Sequence, residues 1–363
     1  MGSPVRVKAL VSLLLLSLTA AVVAQSTENR NPQPVDTTQL AAWLAGGIPS
    51  SRLVRVVAEH GLATLPTRRE LEQVKSAGAN KDLMDVLSSG NAQSAKVGAA
   101  IPEALLKAVA EARQQHLREA EGDLHEAVAS DPQNSALHFA LGAIYRQEEK
   151  WDEAYDELTQ ATRIMPSFPE NHGALAYLFY RLDDGANAIA EARTALSLDP
   201  KNAEAFQFLG LGQYSAGQYE AAVHAYRESL ALDHDNADTY YDMGIALNAD
   251  GNLPSAIAAY EQAIRLRPAF WEAHSNLGLV LHEEGNLAQA VKEYREAKRI
   301  APGEASVRNN LGNTYCDQGN FDSAIEELHS LYREHPEWQQ GHACLASAYM
   351  SKKKYDAAVD ELR

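Results

Sequence analysis

The sequence predicts an all-α fold, a solenoid of stacked helix–turn–helix repeats preceded by a small helical module. The first observation is a period of 34 residues that runs from Ile101 onward without an insertion. The second is that alanine occupies position 20 of all eight repeats, while proline occupies position 32 of six of them. Because one helix pair cannot bury its apolar face alone, such a pattern requires neighbouring pairs to stack.

The first 24 residues have the pattern of a secretory signal. Arg6 and Lys8 give a positive start, an apolar run follows, and Val22 and Ala24 place small residues before a cut at Gln25. We therefore expect an exported protein, periplasmic or extracellular, and an uncleaved anchor is the alternative. No later apolar run reaches the roughly 18 residues of a spanning helix, so we expect no stable membrane span after signal cleavage.

Three segments precede or join the repeats. Residues 25–36 are polar, contain two prolines and show no periodicity, which predicts a flexible tether. Residues 37–90 predict a small helical module, because capping residues precede its apolar stretches and glycines follow them. Thr67 with Glu70, for example, has the pattern of a capping box. The small residues of 91–100 predict a linker to the repeats.

The repeats occupy residues 101–363, and the last one is incomplete. In each repeat, positions 4, 7, 8 and 11 share one face of a first helix, and positions 20, 24 and 27 belong to a second helix. Small residues at positions 8 and 20 let the two helices approach closely, and proline at position 32 ends the second helix. The repeats begin at Ile101, Ser135, Pro169, Ala203, Ala237, Trp271, Ala305 and Gln339.

Leucine and glycine at positions 7 and 8, tyrosine at 11, alanine at 20 and proline at 32 recur with an aromatic residue at 24. Tyr226, Tyr260 and Tyr294 mark the repeats that match best. The pattern resembles the tetratricopeptide repeat, in the exported type found in bacteria. The resemblance implies a right-handed superhelical solenoid. It also implies a concave groove that binds protein or peptide segments and is lined by positions 2, 5, 6, 9, 12 and 13, here called the groove face.

The groove face supplies the candidate binding residues. Its middle is aromatic, with Tyr177, Tyr180, Phe208, Tyr214 and Tyr241. Its C-terminal part is rich in amides, with Asn276, Asn309, Asn310 and Asn313. Acids recur at position 2 and form a predicted groove rim, with Glu170, Glu204, Asp238 and Glu272. Tyrosine offers rigid contact area, and asparagine can pair with both backbone groups of an extended peptide. The alternative is that positions 5, 6 and 9 pack between neighbouring first helices.

The net negative charge of the chain limits which classes of partner it can bind. The 363 residues carry a formal net charge of −17, and 45% of them are hydrophobic, which is enough to bury a core. A nucleic-acid site needs a basic field, so we expect no nucleic acid as a partner. The family's clamp for a terminal carboxylate places lysine and arginine at groove positions 2, 5 and 6, which lack them here. The expected ligand is therefore an extended peptide that is neutral or basic, and not an acidic one.

Histidine recurs at position 4, the slot between the two helices. The set is His138, His172, His274 and His342. We interpret these residues as core or half-buried, because each lies a whole repeat from the next and cannot converge on a metal. No motif of a hydrolase, metalloprotease or dinucleotide-binding enzyme is present. We therefore expect no catalysis, no cofactor and no metal.

Cys316 and Cys344 are the two cysteines of the chain. They occupy position 12 of the seventh repeat and position 6 of the eighth. Neighbouring first helices run parallel in such a solenoid, so six positions amount to roughly 9 Å of axial offset. With the lateral spacing added, the Cα atoms lie beyond the about 7 Å that a disulfide allows, so we predict that the two thiols are not bonded.

The function that the sequence favours is an exported scaffold that binds protein or peptide segments without catalysis of its own. One alternative is the non-catalytic region of an enzyme whose catalytic domain is missing or belongs to a partner chain. Another is an envelope-assembly scaffold that acts through its convex face or its N-terminal module. A homodimer through the exposed C-terminal repeat is a further expectation, because no helix closes that repeat.

Overall fold

A computed structural model describes residues 34–89, 92–94, 100–338 and 340–361. The predicted signal and most of the predicted tether lie outside these residues. The described chain forms two compact units. Unit 1 contains the described residues up to Asp183 together with Ala190–Pro200, and unit 2 contains Asp184–Ile189 and the described residues from Lys201 onward.

The N-terminal module belongs to unit 1 and contains four helices and two short strands. These are α1 (Thr37–Ala45), α2 (Ser50–His60), β1 (Leu62–Thr64), α3 (Arg68–Ser76), α4 (Lys81–Ser89) and β2 (Ala92–Ser94). The predicted capping box is confirmed, since Thr67 accepts from the Glu70 backbone and Glu70 accepts from the Thr67 backbone. A second capping box, formed by Asp36 and Gln39, starts α1.

The segments predicted as tether and linker both carry ordered backbone pairing. Val35, within the predicted tether, is buried, and its N–H donates to the carbonyl of Gly61 at 3.0 Å. Strand β2, within the predicted linker, pairs in parallel with β1. Both segments therefore contain residues that pair with the module, because β1 offers unpaired backbone groups to each of them and the Val35 side chain joins the module's core.

Every repeat contributes two helices. The first helices are α5 (Glu103–Arg113), α7 (Ser135–Gln147), α9 (Pro169–Arg181), α11 (Ala203–Ser215), α13 (Ala237–Ala249), α15 (Trp271–Glu283), α17 (Ala305–Asp317) and α19 (His342–Ser351). The second helices are α6 (Leu117–Ser130), α8 (Trp151–Ile164), α10 (Gly185–Leu198), α12 (Tyr219–Leu232), α14 (Leu253–Leu266), α16 (Leu287–Ile300), α18 (Phe321–Glu334) and α20 (Tyr355–Glu361). The predicted all-α class is confirmed, and six first helices, α7 through α17, begin at the predicted repeat starts.

Close contact between the two helices of a repeat occurs at position 8. A Cβ atom on Gly210 would lie 2.5 Å from the ring of Tyr226, and one on Gly244 would lie 2.6 Å from the ring of Tyr260. Since real carbon atoms do not approach so closely, any larger residue would force the helices apart. The turn that follows has a left-handed residue at position 15 of every repeat, namely Gln115, Glu149, Asp183, Gly217, Gly251, Gly285, Gly319 and Lys353.

Three of the histidines at position 4, His138, His172 and His274, are buried, and each forms hydrogen bonds through both ring nitrogens. His342 is half-buried, and its Nδ1 lies 2.7 Å from a Glu361 carboxylate oxygen. In His138, Nδ1 lies 2.6 Å from a Glu157 carboxylate oxygen, and Nε2 lies 3.1 Å from the Pro132 carbonyl. His274 makes the same pair of contacts with Glu293 and Pro268. A carbonyl oxygen only accepts, so Nε2 must carry a proton, and the carboxylate accepts a hydrogen bond from Nδ1–H. This geometry favours the imidazolium form of His138 and His274.

The surroundings of these two rings act on their pKa. The hydrogen bond to Glu157 raises the pKa of His138. Burial opposes the charge of His274, but the hydrogen bond to Glu293 outweighs it, and the pKa of this ring is also raised.

In another repeat, position 4 holds an arginine, which is always charged. Arg308 occupies position 4 of the seventh repeat, and its Nε lies 3.0 Å from Glu327, which stands at position 23 like Glu157 and Glu293. Where position 4 is aromatic, as in Phe206 and Tyr240, position 23 is alanine. Seven repeats therefore have one of two pairs at positions 4 and 23. The pair is either a histidine or arginine with glutamate, or an aromatic residue with alanine.

Cys316 and Cys344 form a disulfide with Cα atoms 6.0 Å apart, so the prediction that they are not bonded is wrong. In earlier repeats, position 5 of one first helix meets position 6 of the next, as Gln207 meets Asp242. In the eighth repeat, Gly341 adopts φ 95° before α19 and lies against Asn309. Position 6 of α19 therefore lies beside position 12 of α17, and the axial offset on which the prediction rested does not apply.

The two kinds of pair at positions 4 and 23 can be exchanged in one repeat. We expect His274→Phe and Glu293→Ala each to cost about 1–3 kcal/mol, because each leaves one buried charge unpaired. The double variant reproduces the Phe206 and Ala225 pair and should recover most of that loss. Because the folded-state pKa of His274 is raised, the ion pair stabilises below about pH 6.5, and its contribution falls as pH rises through the folded pKa.

Urea unfolding at pH 6 and pH 8, with amide exchange in α15 and α16 as the local readout, measures these effects. The double variant should show a smaller pH dependence than the parent chain. If its loss of stability equals the sum of the two single losses, the ion-pair assignment is contradicted.

Candidate peptide-binding surface

In unit 1, the N-terminal module covers much of the groove face. Helix α1 packs on α5 and α7. The indole of Trp43 stacks on the ring of Phe168 at 4.4 Å, and a Cβ atom on Gly46 would lie 2.7 Å from the ring of Phe139. Phe139 stands at groove position 5 and is buried. At position 5 of this repeat, the groove face therefore contacts the chain's own module.

The predicted rim residue Glu170 is part of this contact. Its carboxylate pairs with Arg52 of α2, and both side chains are buried. Arg52 also reaches Asp199, with Nη1 and a carboxylate oxygen 3.0 Å apart. Glu170 is therefore not an exposed rim acid. It is buried with a paired arginine from the module, and without that counter-charge the burial of its carboxylate would be strongly unfavourable.

Two predicted aromatic residues lie in α9 of unit 1. Tyr177 and Tyr180 are half-buried, and their ring centroids are 6.2 Å apart. The guanidinium of Arg146 lies over the Tyr177 ring at 4.4 Å. These tyrosines remain partly accessible beside the module.

In unit 2, the predicted residues fall into two classes. Phe208 and Asn309 are buried, as expected for packing between neighbouring first helices. The half-buried residues are Tyr214, Tyr241, Asn276, Asn310, Asn313 and Glu272. Glu204 and Asp238 are exposed, and Asp238 forms a bidentate ion pair with Arg267. The groove face of unit 2 thus has aromatic and amide side chains that are partly exposed.

Sequence reasoning missed the central carboxylate of this surface. Asp242 stands at position 6 of α13 and is half-buried, and the Gln207 amide donates to it at 2.9 Å. Burial raises the pKa of Asp242 to about 7, the Gln207 hydrogen bond acts in the opposite direction, and the nearby Asp238 charge adds to the rise. Within the described residues, no lysine or arginine pairs with Asp242. The sequence did contain a signal, because Asp242 is an acid at position 6, a groove position that also packs between neighbouring first helices.

Hydroxyl and amide groups surround this carboxylate. The Asn276 amide donates to the Tyr241 hydroxyl at 3.1 Å. Burial raises the pKa of Tyr260, whose hydroxyl also lies within electrostatic reach of Tyr241, Tyr214 and Asp242. The arrangement places one partly desolvated acid among aromatic rings and neutral donors. Such a site is suited to a cationic group, which the carboxylate attracts by charge and the rings attract through their π faces.

The described residues bring together no group of three or more histidine, cysteine, aspartate or glutamate side chains suited to a metal ion. None of their helices is both long enough and apolar enough to cross a bilayer.

Comparison with known proteins identifies the repeats. Tetratricopeptide repeat models match residues 105–169, 241–305 and 281–347, and a further TPR repeat model matches 210–251. Together these segments cover more than half of the chain. The chain belongs to the tetratricopeptide repeat family. The matched segments fall in both units, so the helix pairs of each unit are tetratricopeptide repeats.

Individual relatives of this tetratricopeptide repeat protein are distant. Human tetratricopeptide repeat protein 28 is 30% identical over 91 residues, which are 23% of this chain and 4% of that protein. The solved structure of Pseudomonas aeruginosa PilF has a TM-score of 0.50 at 22% identity and covers 57% of this chain and 94% of that one. PilW, described as a type IV pilus biogenesis factor, has a TM-score of 0.53 at 20% identity, with 58% and 100% covered. These structures show the shared fold.

Proposed function

We propose that this tetratricopeptide repeat protein is an exported scaffold without catalysis of its own, which binds an extended peptide segment on the groove face of unit 2. The observation that carries the proposal is Asp242, a partly desolvated carboxylate that no described lysine or arginine neutralises. Burying an acid without a counter-charge destabilises a fold, and a ligand that supplies the charge recovers that cost.

The preferred segment carries a lysine or arginine side chain that reaches Asp242. Tyr214 and Tyr241, which like Asp242 lie within electrostatic reach of the Tyr260 hydroxyl, supply contact area at a low cost in side-chain entropy. Asn310 and Asn313, half-buried further along the chain, are placed to pair with the backbone of an extended segment. The exposed acids Glu204 and Asp238 would act mainly on the association rate and its salt dependence.

The binding test uses three sets of labelled peptides of about twelve residues, which are alike except that their central residue is lysine, alanine or glutamate. The lysine set should bind most tightly to the parent chain and the glutamate set most weakly. Asp242→Asn should reduce the preference for lysine about tenfold or more, since it removes the charge but keeps the shape. Asp250→Asn, which removes an exposed acid just beyond the end of α13, is the matched control and should change little.

The same test has a pH arm. A cation binds the ionised form of Asp242, and with a pKa of about 7 this group is largely protonated at pH 5.5. The lysine set should therefore bind more weakly at pH 5.5 than at pH 8, and Asp242→Asn should remove that difference. Equal binding of all three peptide sets, or a lysine preference that survives in Asp242→Asn, would contradict the proposal.

Export is the second part of the proposal. It is supported by the signal pattern and by the disulfide between Cys316 and Cys344, because disulfides persist in oxidising compartments. The protein recovered outside the cytoplasm should begin at Gln25, and a non-reducing peptide map should join the two cysteine peptides. N-terminal sequencing and mass spectrometry measure both, and a chain that begins at Met1 with two free thiols would be the contrary result.

A further inference from the structure

A cleft of about 320 Å³ lies in unit 1 beside the module. It is lined by Gly46 of the module, by Ala143, Arg146, Gln147 and Glu149 of the second repeat, and by Tyr177 and Arg181 of the third. Ala143, Arg146, Tyr177 and Arg181 stand at positions 9, 12 and 13. The cleft is thus the part of the groove face in unit 1 that is left beyond the contact between Gly46 and Phe139.

Two guanidinium groups meet at one tyrosine in this cleft. Arg146 lies over the Tyr177 ring at 4.4 Å, and Arg181 Nη1 donates to the Tyr177 hydroxyl at 3.2 Å. Arg181 also lies over the ring of Trp151 at 4.6 Å, which holds its plane in place. The two arginines form a local positive surface in a chain whose net charge is −17.

We propose that this cleft binds a carboxylate of a partner protein, either an acidic side chain or a chain terminus. An arginine presents five N–H donors in a fork that matches the two oxygens of a carboxylate. The chain itself indicates this chemistry, because the exposed Glu149 carboxylate approaches Arg181 to 3.8 Å. That distance is longer than a hydrogen bond, so an incoming carboxylate can replace Glu149 at closer range.

The site differs from the clamp that the sequence excluded. Arginines stand at positions 12 and 13 of neighbouring first helices, while the positions of that clamp lack lysine and arginine here. The module closes one side of the cleft through Gly46, so the site needs both the module and the repeats. It is separate from the Asp242 site of unit 2, and either site can fail its test without affecting the other.

The experiment measures binding of three labelled, otherwise neutral peptides by fluorescence anisotropy. One has a free C-terminal carboxylate, one is amidated with a single internal aspartate, and one is amidated without an acid. At least one of the two carboxylate peptides should bind about ten times more tightly than the peptide without an acid. The peptide that binds tightly shows whether the site prefers a chain terminus or an aspartate side chain. Equal binding of all three would overturn the proposal, as would inorganic phosphate binding more tightly than either carboxylate peptide.

Variants then locate the site on the full chain. Arg146→Gln and Arg181→Gln should each weaken carboxylate binding about tenfold, whereas Arg163→Gln, a change of an exposed arginine in the same unit, should leave it unchanged. Glu149→Gln removes the competing carboxylate from an exposed turn and should tighten binding about threefold. Because Glu149 is exposed, this gain in affinity cannot be attributed to a loss of side-chain packing. Unchanged affinity in both groove arginine variants, or weaker binding by Glu149→Gln, would overturn the assignment.

Discussion

The structure depends on the close approach of the two helices within each repeat. Glycine at position 8 lies directly under the side chain at position 24, as Gly244 does under Tyr260, and there is no room for a methyl group between them. This contact sets the spacing of the helix pair in the five repeats with glycine at position 8, and alanine, the next smallest residue, takes that place in the other three. The pairs then repeat with one geometry, so the same position in successive repeats faces the same surroundings. The position 4 ion pairs and the groove face both follow from that regularity.

Much of this could be predicted because its causes lie within one repeat. The period, the helix pairs and the small residues at positions 8 and 20 are all local. The charge on the position 4 histidines was missed, although the sequence contained the signal. Repeats with histidine or arginine at position 4 carry glutamate at position 23, as His274 and Glu293 do, while Phe206 is matched by Ala225. Comparing repeats with one another reveals this pairing without any homologue.

The features that could not be predicted depend on contacts between distant segments. Val35 is a single apolar residue in a polar stretch, and only the unpaired backbone of β1 explains why it is ordered. Glu170 has the periodicity of a rim acid, yet Arg52 of the module buries it. Cys344 bonds to Cys316 although six positions of axial offset between parallel helices would exceed the reach of a disulfide. Each of these contacts joins segments that lie far apart in the sequence.

The groove face therefore has different roles in the two units. In unit 1 the module covers much of it, and in unit 2 Tyr214 and Tyr241 remain half-buried. Hydroxyl-radical footprinting of the folded chain, normalised to the chain unfolded in urea, tests this division most directly. Trp43 and Phe139 should be strongly protected, Tyr214 and Tyr241 should react at intermediate rates, and the exposed Tyr355 should react almost as in the unfolded chain. Oxidation of Trp43 as fast as that of Tyr355 would show that the module does not cover the groove face of unit 1.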